Sequence, residues 1–362
     1  MKILSGLKKM MVDFYHARQT RAMREMIVNK HHDVSQIDNE EIHDFRKEGF
    51  SLAESSVYKL SSANYHDYIT TWESYQPRLI NNPYFPVSDD KYLFYLVFSH
   101  FIKTPKVYAL VRNGKVFWLD KEHEGVELGV FFLSKGGGVI KDRGGCDGFG
   151  VYVFTVSDDG QLSYRESPVT KEQLDKIVSD CKDGMIQERM EQGSFENEIY
   201  DKSVNTIRIV TMKKKGGEEH EIVAALQRVG NDKSRPVDNF NQGGGSCLIN
   251  VETGKIGPMK SMLYKDAEGD FLELDSHPDS GTMIRGRIIP NWQKIKNQIV
   301  DLTRKLPFFE CIAWDVVLQD DGIAVIETNM KSSLNVFQIH QPMRNTLLGE
   351  KYREHGWLVD MN

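Results

Sequence analysis

Cysteine is scarce in this chain: 362 residues contain four, Cys146, Cys181, Cys247 and Cys311. They are widely scattered, with no CxxC pair and no histidine at ligand spacing, which excludes a disulfide framework or a cysteine-based zinc site and points to reduced thiols in a cytoplasm. Long apolar runs are missing too. The longest, around Tyr92 to Phe101, is interrupted by Ser99 and His100 and is too short for a membrane span. Ile3 to Leu7, followed at once by Lys8 and Lys9, is too short for a secretory leader core. Positive charge is not in excess: 46 Lys and Arg stand against 52 Asp and Glu, a net charge of -6, which argues against a general nucleic-acid binder. Three nucleotide-site signatures are absent as well. There is no Walker GxxxxGK[ST], no GxGxxG opening a helix, and neither HRD nor DFG, so P-loop, Rossmann and protein-kinase readings are set aside. Repeats and low-complexity tracts are also lacking.

What is present converges on one hairpin near the end of the chain. Cys311 to Gln319 and Ile323 to Asn329 are apolar runs on either side of Asp320-Asp321-Gly322. They read as antiparallel strands joined by a three-residue loop, with Gly322 taking positive φ. That loop sets Asp315 opposite Glu327 and Trp314 opposite Thr328, and the two-residue side-chain period puts Asn329 on the Glu327 face. Val316, Leu318 and Ile326 take the other face. Like charges facing each other across a sheet repel, so a cation between them is expected. Three oxygen ligands from adjacent strands suit Mg2+, which leaves its other positions to phosphate and water. The plainer alternative for the hairpin alone is a solvated acidic face.

Upstream, the first thirty residues are basic and helical in pattern, a face for the protein's own body, a partner or an anionic membrane surface. Residues 31–75 carry no motif. Asp89 and Asp90 cap a helix expected from Lys91 to His100, and Asn113-Gly114 turns a hairpin between Val107–Val111 and Val116–Leu119. A short helix is expected over Glu124 to Leu133. A strand then reaches Lys141, followed by Gly144, Gly145, Gly148 and Gly150 before a strand resumes at Val151. Glycines let backbone N–H groups approach an anion, and the lysine supplies a point charge. A ligand-free glycine turn is the commoner use of such a sequence. A helix over Lys171 to Cys181, a strand over Met185 to Met190 and a linker near Gly193 come next. Arg208, on the strand Ser203 to Thr211, faces away from Ile207 and Ile209, and Arg228 ends its partner strand; together they can stabilise developing phosphoryl charge. Val237 to Gly245 reads as a flexible polar loop, His277 sits in the loop Ser276 to Gly281, and a helix starts near Trp292 and runs to Leu306.

Lysine strand, glycine turn, interlobe strand, paired arginines and a final Asp…Glu-x-Asn follow the order of the ATP-grasp fold. Asn205-Thr206-Ile207-Arg208-Ile209-Val210-Thr211, Asp238 to Gly245, His277-Pro278-Asp279-Ser280-Gly281 and Pro290-Asn291-Trp292 resemble the sugar-transfer-associated ATP-grasp family, and more loosely its teichuronopeptide-type relatives. The similarity runs over roughly Asp90 to Gln341. It implies an α+β protein with two αβ lobes clasping ATP: a helical or mixed extension over 1–88, lobes over 89–192 and 193–345, and a tail over 346–362. It further implies that Lys91, Lys141 and the loop with Gly144, Gly145, Gly148 and Gly150 hold the phosphates, and that Gln187, Glu188 and Met190 meet adenine. Arg208 and Arg228 would act on the transferred phosphoryl, with His277 a further acid-base candidate. Asp315, Glu327 and Asn329 would hold Mg2+. Asn205, Thr206, Asn239, Gly243 and Gly244 would lie near substrate. Asp142 departs from the proline common after that lysine, and no ribose-binding acid is identified. The implied activity is ATP-dependent ligation of a carboxylate to an amine, with a sugar acid and an amino acid as the substrate class, in cell-surface polysaccharide synthesis. Two other readings are a phosphotransferase working on a sugar or through His277, and a nucleotide-binding partner of a glycosyltransferase docked by the basic N-terminal helix.

Overall fold

The computed structural model describes residues 20–29, 45–145, 148–330 and 332–358. Asn113 and Gly114 both take positive φ, 48° and 74°. That is the turn Asn-Gly favours between twisted strands, and it closes β1 (Val107–Arg112) on β2 (Lys115–Trp118). Gly114 also lies against the backbone of Ser179, where a Cβ would sit 3.0 Å from its Cα. β3 (Gly137–Asp142), β4 (Val151–Val156), β5 (Leu162–Tyr164), β6 (Ser167–Pro168) and β7 (Asp183–Gln187) complete an antiparallel sheet of order β2-β1-β7-β3-β4-β5-β6. Helices Leu128–Lys135 and Lys171–Asp180 cover one face, burying Phe131, Phe132, Leu174 and Val178 with Ile140, Phe154 and Ile186. The second helix starts with a capping box between Thr170 and Gln173. The interlobe strand stops at Gln187, so Glu188 to Met190 is not strand as the sequence suggested.

The second lobe is a sheet of order β11-β10-β9-β8-β12-β13, built from β8 (Thr206–Lys213), β9 (His220–Val229), β10 (Gly245–Ile249), β11 (Ile256–Ser261), β12 (Cys311–Leu318) and β13 (Ile323–Asn329). Alternation sends Ile207, Ile209, Trp314 and Val316 into one core with Ile295 and Ile299 of the helix Trp292–Arg304. Trp314 is fully buried, donates from Nε1 to Thr211 Oγ1 at 3.0 Å, and meets the Phe98 ring edge-on. Phe94 and Phe98 belong to this core. Their helix, Lys91–Phe98, capped by Asp90 as expected, therefore packs with the second lobe, although the sequence reading counted it with the first.

The last hairpin has the expected pairing by an unexpected route. Asp315 lies opposite Glu327 and Trp314 opposite Thr328. Gln319 and Gly322 bond each other across a tighter turn, and Gly322 keeps negative φ, against expectation. The residue so lost from the loop is restored by a bulge between Asp315 and Val316.

Glu196, on the short helix Ser194–Ile199, is fully buried behind this sheet. Its Oε2 accepts from Gln227 Nε2 at 3.0 Å while Oε1 has no partner. Burial raises its pKa from 4.5 to about 8, against the pull of the Gln227 hydrogen bond. The folded state thus keeps a proton that the unfolded chain releases, and stability falls as pH rises from about 4.5 to about 8. Glu196→Gln is expected to flatten that slope, gaining roughly 2–3 kcal/mol over the parent at pH 8 and little at pH 5, as read by urea unfolding.

Ile80–Ser332, which holds both sheets, forms one compact unit, and the residues up to Leu79 with those from Ser333 onward form a second. Within the latter, Gln338 brackets the Ile69 backbone through both its amide groups, and Arg344 pairs with buried Glu73. The helix Leu347–Glu354 buries Leu348 and Tyr352, so the expected tail is packed structure. Of the basic N-terminal segment only residues 20–29 fall within the description, and 20–28 are helical. Among the described residues no helix is long and apolar enough to cross a membrane.

Candidate functional site

β8, β9 and β12 are neighbours in the second sheet, and their register sets Arg208 beside Asp315. Arg208 donates from Nε to Asp315 Oδ1 and from Nη2 to Oδ2, both at 2.8 Å. Arg228 reaches across from β9 and donates from Nη1 to the same Oδ2 at 3.0 Å. Its Nη2 donates to Asp238 Oδ1 at 2.6 Å, and Asp238 Oδ2 accepts from the Thr206 N–H at 2.9 Å and its hydroxyl at 2.5 Å. The result is an alternating row, Arg208–Asp315–Arg228–Asp238. The charge of Asp315 is therefore balanced within the protein. Burial opposes the charge of Asp315, yet Arg208 and Arg228 outweigh it and hold its carboxyl below the usual range. For Asp238 burial wins over Arg228, and its pKa is raised.

Glu327, opposite Asp315, faces lysines. Lys91 Nζ lies 3.8 Å from its Oε1 and donates to the carbonyl of Gly145 in the glycine loop. Lys141 is buried on β3, where burial lowers its pKa to about 8, with Glu327 pulling upward and Lys91 pushing downward. Arg208 also feels Glu327. Four cationic side chains, Lys91, Lys141, Arg208 and Arg228, thus surround Asp315 and Glu327, with one of them, Lys141, carried by the first sheet. Such a set is suited to a polyanion.

Within the glycine loop, Cys146 and Asp147 lie outside the described residues. Gly148, at φ 71°, seats against Gln242, Val237 and Asn239 of the second lobe, where a Cβ would come within 2.8 Å of Gln242. Gly145 and Gly150 crowd the Asp142 side chain, while Gly144 faces open space. Glu166, on the β5–β6 turn, adds ion pairs to Arg235 and Lys202 of the other lobe.

Several expected ligand-facing residues turn out to be scaffold. Asn205 is fully buried, its Oδ1 accepting from Gly230 N and its Nδ2 donating to the Tyr200 and Glu196 carbonyls. Thr206 is spent on Asp238. The loop expected to be flexible is pinned: Asn239 accepts from Asn241 N, and the Gly243 carbonyl accepts from Asn231 Nδ2 and Ser261 Oγ. Gly244 is wedged against the Asp238 and Asn239 carbonyls. His277 stacks on Tyr200 and is buried; Nε2 donates to the Gly230 carbonyl at 2.8 Å and Nδ1 accepts from Asp279 N and Ser280 N. Both ring nitrogens are committed to backbone groups. In the interlobe segment Gln187 is buried, and so is Met190. Glu188 donates its N–H to the Lys106 carbonyl and accepts from Lys106 N through Oε2. Cys181, Cys247 and Cys311 are buried free thiols whose pKa values burial pushes up, unsuited to nucleophilic work. The residue sequence reasoning missed is Asp238, whose only signal was its place at the head of a polar loop.

Among the described residues no three Cys, His, Asp or Glu side chains gather into a metal cluster. A cation here needs Glu327 and the Asn329 amide, two residues apart on one face of β13. Asn329 Nδ2 is buried without a partner, and turning the amide over presents its carbonyl oxygen instead. That pair fits a hard cation, whereas both oxygens of Asp315 are taken by arginine.

No curated protein matches the chain. Solved structures similar to it include N5-carboxyaminoimidazole ribonucleotide synthetase in complex with ADP, with 11% identity over 74% of this chain and 51% of that one at a TM-score of 0.43. D-alanyl-alanine synthetase A of Vibrio cholerae shows 9% identity over 74% and 65%, TM-score 0.41, and phosphoribosylamine–glycine ligase of Thermotoga maritima 13% over 74% and 55%, TM-score 0.41. The chain thus spans between about half and two thirds of the length of these structures. The profile of sugar-transfer associated ATP-grasp proteins matches residues 71–348, most of the sequence, and the chain belongs to that family.

Proposed function

We propose that this chain is an ATP-dependent carboxylate–amine ligase. The observation that carries the reading is the convergence of Lys91, Lys141, Arg208 and Arg228 on Asp315 and Glu327, with Lys141 brought from one lobe and the arginines from the other. A carboxylate resists attack by an amine because its charge repels the nucleophile and oxide is a poor leaving group. Transfer of the γ-phosphoryl of ATP to one carboxylate oxygen breaks the bond to the β-phosphate oxygen, releases ADP and leaves an acyl phosphate. Amine attack then expels phosphate and forms the amide. Lys141 and Lys91 balance the charge of the bound phosphates, and Arg208 and Arg228 stabilise the transferring group. The glycine loop, seated by Gly148 on the second lobe, shields the acyl phosphate from water. Glu327 and Asn329 would hold a Mg2+ ion, with Asp315 a further ligand once its arginines leave it, and the ion would neutralise charge on the phosphates. Gln187 and Met190 line the adenine side. The family's link to sugar transfer favours a sugar acid joined to an amino acid or amine in cell-surface polysaccharide synthesis, at the cytoplasmic side of the membrane near a glycosyltransferase.

ATP, Mg2+ and a panel of sugar acids with hydroxylamine as trap are expected to yield acyl hydroxamate and ADP. Amines and amino acids are then expected to replace hydroxylamine. A phosphorylated sugar without any trapped acyl group would instead identify a phosphotransferase and end the ligase reading.

A further inference from the structure

Asp315 is asked to do two incompatible things. Its oxygens accept three hydrogen bonds from Arg208 and Arg228, the groups that must face phosphate, and it stands opposite Glu327, where a cation is to sit. A cation at this carboxylate would meet two guanidinium groups at contact distance. Conversely, an arginine that reaches phosphate has to leave the carboxylate. Arg228 is held from its other side by Asp238, which Thr206 fixes in turn, so the row is a preset arrangement on rigid strands. Resting on the nucleotide reading above, we propose that Asp315 stores Arg208 and Arg228 in the ligand-free protein and releases them when a divalent cation takes its carboxylate. Cation and polyphosphate are therefore bound as one coupled event. A cation alone competes with two tethered arginines; a polyphosphate alone competes with a tethered carboxylate. Together they exchange the two carboxylate–guanidinium pairings for a carboxylate–cation pairing and guanidinium–phosphate pairings. By linkage, each ligand must raise the affinity of the other by the same factor.

Calorimetry with inorganic tripolyphosphate, in EDTA and in magnesium, tests this on the full chain. The parent is expected to bind the metal-free probe weakly. Asp315→Asn is expected to bind it about tenfold more tightly than the parent, with magnesium adding little. Glu327→Gln removes the facing negative charge, which pairs with Lys91 at 3.8 Å and holds no arginine in place, and is expected to gain less than about threefold. A gain in Asp315→Asn no greater than in Glu327→Gln overturns the proposal. Should Asp315→Asn fail to fold by circular dichroism, Asp238→Asn, which frees Arg228 on its outer side, is expected to exceed Glu327→Gln by a smaller margin, and no excess overturns it equally. A parent that binds neither magnesium–ATP nor magnesium–tripolyphosphate refutes the nucleotide reading and the proposal with it. A parent that binds magnesium–ATP while neither variant gains refutes the coupling alone.

Discussion

Arg208→Ala is expected to lower ADP formation by about 100-fold or more and to destabilise the fold by roughly 3 kcal/mol. Both effects come from one geometry. Arg208 is buried and meets Asp315 through two parallel bonds of 2.8 Å, and its removal leaves a buried carboxylate with Arg228 as its remaining charged donor. The loss sits at the low end of what breaking a buried pair costs because that one arginine remains. Arg208→Lys is expected to recover part of the stability and little of the activity, since an ammonium cannot make the two-pronged contact. Urea midpoints and ADP release under saturating ATP measure the two effects separately. An Arg208→Ala variant as active as the parent would remove this arginine from the phosphoryl-transfer machinery.

Lys141→Met is expected to weaken ATP binding by about 100-fold while making the ligand-free protein more stable by roughly 1–3 kcal/mol at pH 7. The opposite signs follow from burial. Holding an ammonium ion in this place depresses its pKa from 10.5 to about 8, so the folded protein strains to keep a proton that the unfolded chain holds easily. Stability of the parent accordingly rises as pH climbs from about 8 to about 10.5, a gain that the methionine variant lacks. Triphosphate reverses the preference by pairing with the ammonium, so ATP binding near pH 8 is expected to take up a proton. Calorimetry in buffers of different ionisation enthalpy reads that uptake, and its persistence in Lys141→Met would show that another group is responsible.

The strands that build the site were legible because their signal is local. Apolar alternation around Asp315, Glu327 and Arg208 fixes which side chains share a face, and burial of Trp314 and Ile207 leaves no other face for them. The pairing of Asp315 with Glu327 came out right although the turn is one residue tighter than expected, because the bulge next to Asp315 compensates. Side-chain to backbone bonds were not legible. Asn205, Asn239 and His277 are the residue types that bind ligands, yet here they satisfy backbone groups, Asn205 and His277 those of distant Gly230 and Asn239 the N–H of nearby Asn241. β10 and β11 were missed because Gly245, Gly257 and Pro258 interrupt any strand pattern, and only pairing with β9 makes that stretch a sheet. The commitment of Asp315 to arginine depends on two strands meeting across the sheet, which no single segment announces.

The tip of the last hairpin is also where the two lobes are tied. Gly193 N donates to the Leu318 carbonyl at 2.8 Å, Ser194 donates its N–H and hydroxyl to Asp320, and Gln319 Nε2 donates to the Glu191 carbonyl. The segment between the sheets is therefore fastened at the end of the very strands that carry Asp315 and Glu327. Arg208, Arg228 and Glu327 lie on one side of that segment, with Lys91 on a helix packed to the same core. Lys141 lies on the other. On the nucleotide reading proposed above, parting the lobes would withdraw Lys141 alone and leave Lys91, Arg208 and Arg228 together.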